Sequence, residues 1–326
     1  MQQKLFLVLS ICLIIVFNKI TAQNNLDYIA YHKSILKTEG LIAKENYKEA
    51  QSQLSNIITS YDFIFLRTYK LVVQLALLNK DYDTAFKYLK LGFASGLELK
   101  TVKKEPFLKP LFKMKKWAYL KKQFPQLKQK YLRSIDQELR KEVFKMYKKD
   151  QRFAMKYLFK IGQKAKERYG NKKGIPHTME QMASLKKILE SSGYPGEQLI
   201  GNNYWMSTIL SHHNSISENF VKNDIIYLNL RPRLLIAISK GQLSPYDFAI
   251  IEDWRTAVKS NRQETGYGYI DNLESNEIDK SNKLRNALNI RSTQLRNTLL
   301  DIQDKTGMNL YLAGGFWLEG KIGMQP

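Results

Sequence analysis

Cysteine is almost missing from this sequence, because Cys12 is the only one among 326 residues. It lies in an N-terminal segment that we expect to be removed, which excludes disulfide bonds and thiolate chemistry from the mature chain. Proline and glycine are also sparse, at 8 and 17 residues, and this favours long helices over many short strands. Without disulfide bonds the hydrophobic core must supply the stability, and a mature chain of about 300 residues is long enough to form such a core.

Several catalytic motifs are absent as well. The chain has only four histidines, no His-Glu-x-x-His stretch and no cysteine pair, so a zinc site is not predicted. It also lacks a Gly-x-Ser-x-Gly elbow and a phosphate-binding glycine-rich loop before Lys-Ser/Thr. Serine-hydrolase and nucleotide-hydrolysis functions have no support, and we predict neither a metal nor a cofactor.

The N-terminus has the pattern of a signal peptide. Lys4 precedes a run of 13 mainly apolar residues, 5–17, which is too short to span a bilayer. Ile20-Thr21-Ala22 resembles a cleavage site, so residues 1–22 are predicted to be removed. The alternative is an uncleaved membrane anchor. We expect an exported protein that is periplasmic, associated with the outer membrane or secreted.

Acidic residues are scarce in one part of the chain. Residues 100–175, called the basic segment below, contain 25 Lys and Arg against 6 Asp and Glu, whereas the rest of the mature chain is nearly neutral. A concentrated positive surface attracts polyanions through forces that salt screens. The expected partner is an anionic envelope polymer or lipid surface, with nucleic acid less favoured. The alternative is a solvated lysine-rich face without a specific partner.

The first part of the mature chain contains an internal repeat. Residues 44–50, Lys-Glu-Asn-Tyr-Lys-Glu-Ala, recur as residues 79–85, Asn-Lys-Asp-Tyr-Asp-Thr-Ala, and Leu54 corresponds to Leu89 at the same 35-residue offset. Over residues 26–125 this pattern resembles the tetratricopeptide repeat, which implies two helical hairpins and a groove for a protein or peptide partner. Residues 105–120 are predicted to cap the pair, and Pro125 to break the chain before the next helix.

The remaining chain alternates apolar and polar residues at helical spacing. Predicted helices cover residues 134–169, 178–189, 203–213, 225–240, 244–259 and 279–304, and residues 309–318 are predicted to form a short strand or a lid. The expected fold class is all-α: two tetratricopeptide-like hairpins with a cap, then an irregular helical domain. The predicted divisions are residues 1–22, 23–130 and 131–326.

Unusual polar groups follow one another in this second part. They are Met146-x-x-x-Asp150-Gln151, Gly193-Tyr194-Pro195 with Gly201, His212-His213, Asp253-Trp254-Arg255, Gln263, Tyr267-Gly268 and Asn289-Ile290-Arg291. Their order over residues 134–300 resembles an uncharacterised bacterial domain family without an established activity, which implies a shared pocket and no particular reaction. His212 stands where the family pattern has glutamine, Trp254 is inserted between the Asp and Arg that are adjacent in that pattern, and Tyr269 replaces its threonine.

These groups suggest one catalytic hypothesis. His213 is a candidate general base, oriented by Asp150 or Asp253, since histidine titrates near neutral pH. The other predicted pocket residues are Gln151, His212, Arg255, Tyr267, Gly268 and Trp205. The alternative is a buried polar network that joins helices. Separately, Tyr204, Trp205 and Trp254 are predicted to lie in the core instead of forming a sugar-stacking surface.

The leading prediction is therefore an extracytoplasmic interaction protein. Its repeat groove would hold a protein or peptide partner, and its basic segment would meet an anionic envelope surface. The rival prediction is a metal-independent hydrolase or transferase that uses His213 with Asp150 or Asp253.

Overall fold

The computed structural model describes residues 27–312 and 320–323, and it confirms the all-α fold class. No β-strand occurs in these residues. No helix among them is both long enough and apolar enough to cross a bilayer. The predicted signal peptide, residues 1–22, lies outside the described residues, as do residues 313–318 of the predicted strand or lid.

Two helical hairpins open the described chain. Helices α1 (Tyr28–Ala43) and α2 (Tyr47–Ser60) form the first hairpin, and α3 (Leu66–Leu78) and α4 (Tyr82–Ala94) form the second. Each helix packs against the next in the chain, which confirms adjacent packed hairpins. Asp81 caps α4 by accepting a hydrogen bond from the backbone N–H of Thr84.

The 35-residue offset also holds in the backbone and the core. Glu45 and Lys80, one at each turn, have the same left-handed φ of 61°. The paired alanines and the paired leucines at this offset are all fully buried: Ala50, Ala85, Leu54 and Leu89. In each hairpin a small alanine beside a large leucine allows the two helices to approach closely. Residues that are 35 positions apart in the sequence thus have equivalent places in the packing of the two hairpins.

An irregular layer covers the open side of the second hairpin. It consists of α5 (Leu99–Lys103), a short 3-10 turn, α6 (Lys109–Phe112) and α7 (Lys115–Ser134), and it adds Leu111, Trp117 and Leu120 to the hairpin core. The predicted break at Pro125 is wrong, because this residue lies inside α7. Phe124 and Leu127 pack against the core on either side of it, and this packing holds the helix together despite the missing N–H.

A second core lies among the following helices. They are α8 (Gln137–Leu158), α9 (Gln163–Tyr169), α10 (Ile175–Ser191), α11 (Glu197–Ile200), α12 (Trp205–His213), α13 (Glu218–Asn223), α14 (Ile225–Ser239) and α15 (Pro245–Lys259). The apolar faces of these helices, apart from α9 and α13, form one buried cluster that includes Leu185, Leu210, Leu234 and Phe248. Ser244 caps α15 ahead of Pro245, as predicted.

Two predicted helices are divided in the structure. The one over residues 134–169 ends at Leu158 and resumes as α9, and Gly170 opens a π-helical turn that leads into α10 instead of ending a helix. The closing helix consists of α16 (Ile278–Ala287) and α17 (Thr293–Thr306). Asn289 has a left-handed φ of 52°, so the Asn289-Ile290-Arg291 stretch is a turn and not part of a helix.

The end of the chain returns to the first core. Leu299 and Ile302 of α17, followed by Met308 and Leu310, are buried among the hairpin side chains. Gln74 of α3 binds both backbone groups of Asn309, donating to its carbonyl at 2.9 Å and accepting from its N–H at 2.7 Å. The last helix therefore belongs to the core of the first hairpins, and the division at residues 130 and 131 stays a prediction.

Candidate functional site

His213 is buried, and both of its ring nitrogens are engaged. It lies at the end of α12 with 1% of its surface exposed. Nε2 is 2.8 Å from Asp224 and Nδ1 is 2.7 Å from the hydroxyl of Thr178. A neutral ring that donates to Asp224 and accepts from Thr178 satisfies both contacts. The carboxylate partner of His213 is thus Asp224, and neither predicted orienting residue takes that place.

Asp224 is held by several donors at once. It is the N-cap of α14 and accepts hydrogen bonds from the N–H groups of Ile226 and Tyr227. Burial raises the pKa of Asp224, but the hydrogen bond from His213 and these N–H groups outweigh the burial and hold the pKa below its usual value. Arg255 lies 3.6 Å away and donates to the carbonyl of Val221.

Asp253 has a different set of partners. It is fully buried, and its two oxygens accept hydrogen bonds from the N–H groups of Tyr267 and Tyr269, at 2.5 and 2.6 Å. Arg285 donates to the carbonyl of Tyr267 at 2.8 Å from the other side. A carboxylate and a guanidinium thus hold one turn by its backbone, and loss of solvent raises the pKa of Asp253 to about 8.

Gly268 lies at the centre of this turn. Its φ is 71°, and a Cβ atom at this position would be 2.6 Å from the side chain of Leu273. The Tyr-Gly pair therefore meets a backbone requirement of the turn. The ring of Tyr267 is 5% exposed. These contacts account for the predicted pocket residues Tyr267 and Gly268 as parts of a buried support.

Asp150 is hydrogen-bonded to His212, the more exposed of the two adjacent histidines. Its carboxylate accepts a 2.6 Å hydrogen bond from Nδ1 of His212, whose side chain is 38% exposed. His177 brings Nε2 to 3.7 Å of the other oxygen, and Gln151 donates to Asp150 at 3.3 Å. Burial raises the pKa of Asp150, but His177 and His212 outweigh it, so the pKa is lower than usual. His212, and not His213, shares a hydrogen bond with Asp150.

Trp205 belongs to an aromatic packing cluster. Its ring centroid lies 4.8 Å from Phe144 and 6.2 Å from Tyr147 of α8, and the guanidinium of Arg140 lies 4.8 Å from it. This arrangement attaches α12 to α8 and is typical of a packed helix contact. Tyr204, in contrast, is 71% exposed.

Apart from Trp205, the predicted residues thus fall into three groups, around the buried acids Asp150, Asp224 and Asp253. Among the residues that the structure describes, no set of three or more His, Cys, Asp or Glu side chains is placed to hold a metal ion. Within these groups, the His212–Asp150 pair combines an oriented imidazole with solvent access, which is the minimum geometry for a general base.

A cleft lies between the first hairpins and the second core. Its volume is about 180 Å³, below the several hundred Å³ usual for sites of drug-sized ligands. Residues of α1, the start of α3, the loop around α11, the start of α12 and the start of α15 line it, including Tyr31, His32, Tyr194, Glu197, Tyr246 and Asp247. It contains the aromatic and proline of the Gly193-Tyr194-Pro195 turn but none of the predicted catalytic residues.

The ionisable groups of this cleft are poorly hydrated. Burial raises the pKa of Glu197 to about 7, against a hydrogen bond from the N–H of Leu66, and raises that of Asp247 to about 6. Burial lowers the pKa of His32 to about 4. His32 is 7% exposed, and its Nε2 has no hydrogen-bond partner in the described part of the protein. Each of these groups is therefore biased toward its neutral form.

The basic segment presents its cations to solvent. Of its 25 Lys and Arg residues, all are exposed except Lys128, Arg140 and Lys166, which are partly buried. Among side chains that the structure describes, four ion pairs engage the cations of this segment, formed by Lys116, Lys128, Lys141 and Lys149. Most of its positive charge is thus left without a protein counter-charge.

Three acids of these sites, Asp224, Glu197 and Asp247, have weak or no signals in the sequence. Asp224 precedes the apolar run 225–230, and an acid before such a run is an N-cap signal. Glu197 and Asp247 carry no motif, and their meeting depends on the packing of distant helices. Searches with protein-family models, among curated proteins and among solved structures find no match for this chain.

Proposed function

We propose that this chain is an exported helical-repeat protein that docks on an anionic surface of the cell envelope through its basic segment. One observation carries the proposal: nearly all of the 25 cations in residues 100–175 are exposed, and few have an acidic partner. Unpaired surface cations attract polyanions at long range without the desolvation cost that buried pairs incur. Residues 23–130 would form the tetratricopeptide-like part, and residues 131–326 a member of the uncharacterised family.

The apolar tip of the basic segment favours a lipid surface as the anionic partner. This tip consists of Met155, Leu158, Phe159 and Ile161, which are 51%, 65%, 76% and 94% exposed. Lys156 and other exposed lysines surround it. Large apolar side chains among cations suit the boundary between headgroups and acyl chains, where both find favourable surroundings.

A vesicle experiment tests the docking proposal. The mature chain is expected to sediment with vesicles containing phosphatidylglycerol and not with pure phosphatidylcholine vesicles. Changing Leu158, Phe159 and Ile161 together to serine should weaken binding by about tenfold or more, because each buried apolar side chain contributes on the order of 1–3 kcal/mol.

The matched control changes three exposed apolar residues outside the basic segment. Ile225, Leu228 and Ile236 of α14 are 68%, 49% and 52% exposed, and serine at these positions should leave vesicle binding unchanged. Equal loss in both variants would refute a specific role of the tip. Failure of the native chain to bind anionic vesicles at low salt would refute the lipid partner altogether.

The repeat groove is proposed to hold an extended peptide of a protein partner. α3 already binds the chain's own residues 308–312, through the Gln74 contacts with Asn309 and a 3.3 Å hydrogen bond from Arg67 to the carbonyl of Leu310, so a partner peptide would displace this segment and use the same groups. Side-chain groups that bind backbone atoms accept many sequences, which suits peptide recognition.

The enzymatic alternative is less favoured. A hydrolase or transferase centred on His213 needs a substrate to reach the ring, and His213, Thr178 and Asp224 are all buried, with 1%, 5% and 7% of their surface exposed. His212 with Asp150 is the pair that such a function would use, but neither residue lines the cleft between the first hairpins and the second core. Binding therefore remains the better-supported proposal.

A further inference from the structure

The cleft between the two cores contains two carboxyl groups with unsatisfied hydrogen-bonding capacity. Asp247 occupies the third position of α15, where an acid commonly turns back to bind the N–H of the N-cap residue. Here Ser244 provides the cap by itself, and in residues 27–312 and 320–323 no group donates a hydrogen bond to the Asp247 carboxyl. The Asp247 side chain lines the cleft instead.

Glu197, the first residue of α11, enters the same cleft from another helix of the second core. One oxygen accepts a 2.6 Å hydrogen bond from the N–H of Leu66, at the start of α3. Its second oxygen receives no hydrogen bond from the described residues. The negative charge of Asp247 also raises the pKa of Glu197, which places the two acids in electrostatic reach of each other.

The nearby cations do not neutralise this pair. Arg67 lines the cleft, but it forms its ion pair with Glu39 at 2.7 Å and lies over the ring of Tyr246. Lys70 lowers the pKa of Glu197 through its charge, yet its ammonium group lies 4.3 Å from the ring of Tyr311 and makes no ion pair within the described residues. The cleft therefore has two acids and no cation bound to either.

The tyrosines and His32 that line the cleft are compatible with a positively charged ligand. The rings of Tyr31, Tyr194 and Tyr246 form part of the wall, and aromatic faces attract cations. Burial raises the pKa of Tyr31 and of Tyr194 well above the usual value, so both remain neutral. His32 is also neutral, and its unpartnered Nε2 adds a further polar atom.

We propose that this cleft binds a small ligand through a primary ammonium group, held by Asp247 and Glu197. An ammonium group has three donors and no acceptor, which matches two carboxylates that lack donors. Hydrogen bonds to charged groups contribute more than neutral ones, because the site is partly closed to water. The cleft volume suits an amino sugar or an amine-bearing side chain of a peptide. This site lies outside the basic segment, so it does not depend on anionic docking.

The pH dependence follows from the two acids. Both carboxyl groups have raised pKa values, so the stability that their neutral forms give the empty protein is fully present below their ordinary pKa of about 4 and is lost as the pH rises through about 6 for Asp247 and about 7 for Glu197. The ammonium ligand binds the ionised forms. Its affinity should therefore rise from pH 5 to pH 8, over which a lysine ammonium remains protonated.

Ligand-observed NMR on the mature chain tests this site with matched probes. Nα-acetyl-lysine amide and glucosamine represent the peptide and the sugar source, and their N-acetylated counterparts lack the ammonium group. At least one ammonium probe is expected to bind at millimolar concentration, about tenfold or more tightly than its acetylated form. Asp247→Asn should weaken that binding by a similar factor. Asp304→Asn removes an exposed carboxylate of α17 and should have no effect.

The outcomes are distinguishable from those of the docking proposal. Binding of neither ammonium probe would overturn the assignment, as would equal binding of acetylated and free forms. An unchanged affinity in the Asp247→Asn chain would also overturn it, provided that circular dichroism shows the variant to be folded. Vesicle binding is expected to be the same in this variant and in the native protein, because residue 247 lies far from the basic segment in the chain.

Discussion

Replacing Glu39 with alanine is expected to lower the free energy of unfolding by about 3–5 kcal/mol. Glu39 of α1 is 2% exposed and binds two arginines, Arg67 at 2.7 Å and Arg291 at 2.8 Å. Arg291 is also 2% exposed, and it lies in the turn between α16 and α17. Within the described residues, removal of the carboxylate leaves the buried Arg291 guanidinium with the hydroxyl and the ring of Tyr246 as its remaining side-chain partners.

The matched control is a second ion pair between the same parts of the chain. Glu45, at the end of α1, pairs with Lys305 of α17 at 2.6 Å, but both side chains are exposed. Its replacement by alanine should cost much less than the loss of Glu39, since exposed pairs are screened by water. Urea unfolding of the mature proteins, followed by circular dichroism, measures both values. Equal losses for the two variants would contradict a special role of the buried cluster.

Neutralising five cations of the basic segment is expected to weaken binding to anionic vesicles by on the order of a thousandfold at low salt. Each lysine near such a surface contributes about 1 kcal/mol, so five together give about 5 kcal/mol. The chosen residues are exposed and form none of the ion pairs in the described residues: Lys121, Lys122, Lys130, Lys145 and Lys156, each changed to glutamine.

The control variant removes the same number of charges elsewhere. Lys33, Lys37, Lys44, Lys48 and Lys283 are equally exposed, and their change to glutamine should weaken vesicle binding much less. Surface changes of this kind should leave the stability of both variants within about 0.5 kcal/mol per site of the native protein. Vesicle sedimentation across a lipid titration gives the affinities. Similar losses in the two variants would indicate attraction to net charge and not to the basic segment.

The helical hairpins were predictable because the information for each one is local. The 35-residue offset, the buried Ala50 and Ala85, and the left-handed turns at Glu45 and Lys80 all arise within one hairpin length. Helix starts such as Ser244-Pro245 were readable for the same reason, since a cap acts on its own first turn. Pro125 shows the limit of such local rules. They predict a break in the helix, but packing against residues distant in the chain keeps α7 continuous through Pro125.

The candidate site was only partly predictable. The sequence identifies polar residues that do make specific contacts, but it does not identify their partners. Asp150 is approached by His177, His213 binds Asp224, and Asp253 binds the turn at Tyr267, and no local sequence pattern connects these partners. A histidine pair on one helix directs its two rings to different sides, so adjacency in the chain does not predict a shared partner. The cleft acids are harder still to predict, because Glu197 and Asp247 are 50 residues apart and line one cleft only after α11 and α15 have packed.

The most direct test of anionic docking is the salt dependence of vesicle binding by the native chain. Sedimentation with phosphatidylglycerol vesicles over a series of sodium chloride concentrations measures it. Exposed charges are screened within about 10 Å at 0.1 M salt, so the affinity should fall steeply across this series. An affinity that does not change between low and high salt would contradict docking through the basic segment.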